Sequence, residues 1–177
     1  MYNIALDIRC CFAKQKKHEY GKRLKNGAER LAYMTKMQDG ASIYQKGFNC
    51  AQAVFSTFSE DYGLDAVTAR KIAGGLGSGA RAAELCGAVS GAVMVIGLKH
   101  GQGAADDAER KRVCNAETEE FLRRFKSIYK DVVCRVLLQC DIATKEGREK
   151  ALEKELFKKR CQNLVVSAIE ILVEMGY

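Results

Sequence analysis

Eight cysteines stand in this chain of 177 residues, and two of them, Cys50 and Cys86, occupy positions where a thiol can do chemistry. A thiolate is a nucleophile, a metal ligand and one half of a disulfide, and its environment decides which. Cys50 follows Asn49, a good N-cap, so it opens a helix predicted to run from Cys50 to about Tyr62. Cys86 stands where a glycine run gives way to apolar helical sequence. At both places the positive end of a helix dipole favours the thiolate. Cys86 also adjoins a loop of exposed backbone N–H groups, which makes it the expected most reactive thiol. Cys161 falls on the apolar face of a last helix read as Arg148 to Met175, with Phe157, Leu164, Ala168, Ile171 and Leu172. Cys134 depends on where the preceding helix ends. If the helix continues past Val132, Cys140 lies beside the apolar stripe and Cys134 almost opposite it. If it breaks near Lys130 to Val132, a new stripe of Cys134, Leu137 and Leu138 turns inward. Cys114 stands among charges and is read as a bystander, and the adjacent Cys10 and Cys11 cannot easily point to one metal.

The elements that must position these thiols centre on one stretch, Ile72 to Gly101. Its first half carries four glycines within Gly74 to Gly79, which excludes regular helix because glycine costs about 1 kcal/mol per helical position. Its second half, Cys86 to Leu98, has no charge and one polar side chain, Ser90. That is too short to span a membrane, which takes about 20 apolar residues, and long enough for a buried central helix. Gly87, Ala88, Ser90, Gly91 and Ala92 keep its early turns thin, so a backbone or a cofactor can approach. Gly75, Gly77, Gly79 and Gly87 are therefore the cofactor- or anion-facing candidates. The run lacks G-x-G-x-x-G spacing, a preceding strand and a following Lys-Ser/Thr, so it is not a nucleotide loop of a known kind.

The remaining sequence supports an all-α fold. There is no proline or tryptophan, alternating strand patterns are hard to find, and apolar residues recur at helical spacing. The reading is one domain of five to seven helices, residues 34–177, behind a basic N-terminal extension, residues 1–33. The net charge is +7. Residues 1–30 hold eight basic side chains against three acidic ones, which leaves about +2 for the rest. A basic arm can touch nucleic acid or anionic lipid, but it also suits a solvated extension, and no interleaving of aromatic and basic residues supports nucleic-acid binding in the body. Asp7 and Arg9 interrupt the only early apolar run, so no signal peptide is read. Eight cysteines without an export signal predict a cytoplasmic protein whose thiols serve metal or redox chemistry. His18 and His100 are the only histidines, which leaves no Ser/His/Asp set.

Gly47-Phe48-Asn49-Cys50-Ala51-Gln52-Ala53-Val54, the glycine run, Cys86-Gly87-Ala88-Val89-Ser90-Gly91-Ala92 and Gly97-Leu98-Lys99-His100-Gly101 form one set. Cys134 with Leu137-Leu138 and an aspartate, then Cys161 with Val165 and Ala168, form another. Together they resemble the redox-active family named for its C, GCAxxG, C, C cysteine pattern, over roughly Ser42 to Glu174. The resemblance implies a small helical redox protein, and a related domain in a multi-haem cytochrome carries an iron–sulfur centre. Carried over by position, it implies Cys50, Cys86, Cys134 and Cys161 as the functional cysteines. The order Cys-Gly-Ala replaces Gly-Cys-Ala here, Lys130 and Gln139 stand where the pattern has glycines, and Gln162 where it has proline.

Three functions follow as expectations. In the first, the four cysteines bind metal as ligands of an iron–sulfur cluster in an electron-transfer protein with a donor or acceptor protein as partner. In the second, Cys50 and Cys86 act as catalytic thiols in metal-free thiol–disulfide exchange, although no C-x-x-C is present. In the third, the glycine loop and basic arm bind an anion or a partner, and the cysteines are core. No membrane partner is expected, and a homodimer is compatible with the sequence.

Overall fold

The computed structural model describes residues 26–177. Most of the basic extension, with Cys10 and Cys11, lies outside the described residues. Eight α-helices form the described part: α1 Gly27–Gln45, α2 Cys50–Phe58, α3 Ala66–Ile72, α4 Gly87–His100, α5 Ala108–Tyr129, α6 Cys134–Leu138, α7 Lys145–Glu153 and α8 Gln162–Glu174. No strand is present among them beyond one isolated antiparallel bridge, Leu85 to Val133. The all-α reading holds, in more segments than expected because α6 and α3 are very short. No described helix is long and apolar enough to cross a membrane.

Helix α4 lies at the centre, packed against α2, α5 and α8. Its residues Val89, Ala92, Val95 and Ile96 are fully buried, while Val93, Met94 and Leu98 are half-covered. Glycine sets the closest crossing. A Cβ added at Gly91 would stand 2.8 Å from the Ala51 carbonyl oxygen, and one at Gly87 would stand 3.2 Å from the Cys50 Cβ. It is the α2 backbone that the thin early turns of α4 admit.

Several boundaries differ from the sequence reading. Helix α1 begins at Gly27, with Asn26 as its cap, and crosses the 33/34 boundary. Tyr33 is buried and donates to the Glu170 carboxylate at 2.7 Å. The last helix, expected to be continuous from Arg148, is divided. Glu155 takes a left-handed backbone, and a π-type turn, Phe157–Cys161, leads into α8. Helix α5 ends at Tyr129, where Lys130 is left-handed with φ 69°, and α6 ends at Gln139 with φ 55°. The break near Lys130 therefore occurs, and Cys134, Leu137 and Leu138 are buried.

Candidate functional site

Each of the four cysteines is held in place by hydrogen bonds to the segments around it. Asn49 caps α2 by accepting from the Gln52 N–H, and the Gln52 side chain accepts from the Asn49 N–H, a reciprocal pair that satisfies two otherwise unpaired donors. The Asn49 amide also donates to the Ala73 and Gly74 carbonyls, and Gln52 donates to the Arg70 carbonyl. The start of α2, with Cys50 as its first residue, is thereby tied to the glycine run.

Cys86 and Cys134 are placed together by the bridge. The Cys86 N–H donates to the Val132 carbonyl at 2.8 Å, and the Cys134 N–H donates to the Glu84 carbonyl. Two short extended segments therefore run side by side, and a helix leaves each of them, α4 after Cys86 and α6 from Cys134. The Asp131 carboxylate accepts from the Val132 and Val133 N–H groups at 2.6 and 2.7 Å and shapes the approach. Arg135 spans the junction. Its guanidinium donates to the Ala82 and Ala83 carbonyls and pairs with the Glu84 and Asp141 carboxylates. The carbonyls it holds end an unusual turn. Ser78, Gly79, Ala80, Arg81 and Ala83 all have φ between 52° and 65°, a region that costs a non-glycine residue about 1 kcal/mol or more.

Cys161 closes the Phe157–Cys161 turn. Tyr44 of α1 donates to the Phe157 carbonyl at 2.8 Å, which fastens this turn to α1. Cys50, Cys86, Cys134 and Cys161 all line a single cavity of about 560 Å³. Cys140, half-buried, does not line it, nor does Cys114. Of the glycine candidates Gly87 lines the cavity, whereas Gly75, Gly77 and Gly79 do not. Gly77 instead backs onto the Asn49 side chain, and a Cβ on Gly79 would strike the Glu84 backbone at 2.4 Å.

The thiols influence one another. The Cys161 thiol is held below its ordinary range, chiefly by a hydrogen bond from the Cys50 thiol, with the neighbouring Tyr44 hydroxyl adding to it, against the opposing effect of burial. Cys50 is pushed well up as the donor of that bond, and burial adds to it. Burial raises Cys134 to about 12, reinforced by Cys86, Cys161 and Cys140, while Arg135 opposes the rise. Cys86 corrects the reactivity expectation. It is 2 % exposed, and burial lifts it to about 11 although the Ala88 and Val89 N–H groups favour the thiolate. Desolvation outweighs the helix terminus here. Of the four cavity thiols, Cys161 is the one that ionises most readily.

Residues that the sequence reading did not single out complete the site. Tyr44, Arg148 and Lys158 line the same cavity as the four thiols. A signal existed for Lys158, which stands three residues before Cys161 on one turn. Nothing local marks Tyr44 or Arg148, because both reach the site only through tertiary packing.

The site defines a class: a helical protein with four thiols from separate elements around one cavity. The chain belongs to the family described as "Putative redox-active protein (C_GCAxxG_C_C)", which matches residues 48–175. No curated protein and no solved structure matches the chain.

Proposed function

We propose that this redox-active protein uses Cys50, Cys86, Cys134 and Cys161 as one centre, the ligands of an iron–sulfur cluster in electron transfer. The observation that carries the reading is that all four thiols line one cavity although they come from α2, the approach to α4, α6 and the turn before α8. The donor set fits the group: the cavity lining offers four sulfurs and contains no histidine and no carboxylate, and soft thiolates are what such clusters take. Among the described residues no three His, Cys, Asp or Glu side chains converge closely enough to hold a metal ion. When bound, a cluster supplies one-electron exchange. The protein's own contribution is to bury the sulfurs and to keep the Tyr44 hydroxyl beside Cys161. A protein electron donor or acceptor is the corresponding partner.

A second reading has its own observation. Cys161 is the largest influence on the ionisation of Cys50, and Cys50 on that of Cys161, which supports Cys50 with Cys161, in place of Cys50 with Cys86, as the metal-free dithiol pair, with Cys161 as the attacking thiolate. Anaerobic purification with an iron and sulfide assay separates the two. Iron, inorganic sulfide and broad visible absorption are the expected result. A colourless, iron-free protein that reversibly loses two hydrogens supports the dithiol instead.

A further inference from the structure

The cavity carries a charge that its thiols do not explain. Arg148 of α7 and Lys158 of the turn before α8 both line it, and no aspartate or glutamate does. Neither cation is in an ion pair among the described residues. On α7, Lys145 is the residue paired with Glu149. Glu155, whose carboxylate feels both Lys158 and Lys159, is bonded to Lys159 at 2.5 Å. Arg148 instead lies over the Phe157 ring, its guanidinium carbon 5.7 Å from the centroid, an arrangement that orients the planar group while leaving N–H donors free. The rest of the lining is largely apolar: Phe48, Ile142, Leu152, Phe157 and Leu164. Leu152 is 60 % exposed, a large aliphatic side chain held at the surface beside the opening.

These features describe a receptor. A volume of about 560 Å³ falls within the roughly 300–1,000 Å³ of small-molecule sites, which combine apolar walls with a few convergent polar groups. Two unpaired cations on an acid-free wall select negative charge, and the aliphatic and aromatic side chains select an apolar body. From this we infer that the cavity binds a small organic anion with an apolar or aromatic body, its anionic group held by Arg148 and Lys158 and its body lying toward the thiols. The inference shares the cavity with the redox reading but does not need the cluster.

The test uses two probes of the same skeleton, anionic 1-anilinonaphthalene-8-sulfonate and uncharged N-phenyl-1-naphthylamine, in equilibrium dialysis against the full-length protein as purified. The wild type is expected to bind one sulfonate. Arg148→Gln and Lys158→Gln should each weaken the sulfonate about tenfold, the loss of one charged hydrogen bond, with less than a twofold change for the uncharged probe. Lys145→Gln, on the same helix but outside the cavity, should change neither. The inference is overturned if the sulfonate does not bind, if the double variant binds it as well as wild type, if Lys145→Gln weakens it equally, or if both probes weaken together. Iron measured on the same samples keeps the readings apart: charge-selective binding without iron removes the cluster alone, and iron without charge selectivity removes the anion site alone.

Discussion

An ionised sulfur in a buried cavity needs hydrogen-bond donors to offset what it loses on leaving water. Cys161 has the Cys50 thiol as its donor, and the Tyr44 hydroxyl, bonded to the Phe157 carbonyl, is the second group beside it that favours the ionised sulfur. Removing the second should raise Cys161 and slow its alkylation in the metal-free, reduced protein. Tyr44→Phe is expected to cut the iodoacetamide rate at Cys161 about tenfold at pH 8, read by mass spectrometry of the labelled peptide, and an unchanged rate would remove Tyr44 from the site. Cys86 and Cys134 make the opposite contribution. Their folded-state values, about 11 and about 12, lie above the ordinary thiol value of 9.0. Below pH 9 both states hold the proton and stability is intact; above it the unfolded chain ionises first and stability falls until the folded thiols ionise too. Urea unfolding should show stability declining between pH 9 and 12, less steeply in Cys86→Ala, and equal slopes would contradict the burial effect. The position of Cys86 before a helix was legible in the sequence. Its burial was not, because the atoms that cover it belong to chain segments far from it in sequence.

At the scale of elements, the caps and breaks were readable and the odd turns were not. Asn49 and Asp65 cap as their residue types suggest. Lys130 and Gln139, noted as standing in glycine positions, are both left-handed, so the pattern reported a backbone need that this chain meets with strained residues. Lys130→Gly should therefore stabilise by about 0.5–1 kcal/mol in urea unfolding, and a loss of stability would show that the lysine side chain matters more than its φ. The left-handed turn at Ser78–Ala83 had no such marker, since alanine and arginine do not advertise positive φ. Helix α4 offers a comparison of opposite signs. Gly91→Ala gains about 1 kcal/mol of helix propensity but forces a methyl against the Ala51 carbonyl oxygen at 2.8 Å, which cannot rotate away. A net loss of about 1–2 kcal/mol is expected. Gly97→Ala meets nothing within 4 Å and should gain about 1 kcal/mol. Matching effects from the two would mean that α2 and α4 do not cross at Gly91.

For the whole molecule, the all-α class could be read from periodicity and the choice of four cysteines from the resemblance, because both are properties of spacing along the chain. What holds the cavity together could not. Tyr44 and Phe157 are 113 residues apart, and Arg135 and Ala82 are 53 apart; such pairs exist only once the helices have packed. The central claim, that four cysteines act as one centre, is a claim about that packing. Its most direct measurement is iron and inorganic sulfide per chain, after anaerobic purification, in single serine variants of every cysteine in the described residues. The account expects both to be lost in Cys50→Ser, Cys86→Ser, Cys134→Ser and Cys161→Ser and kept in Cys114→Ser and Cys140→Ser. Iron and sulfide that survive all four cavity substitutions, or fall only in Cys140→Ser, would contradict it.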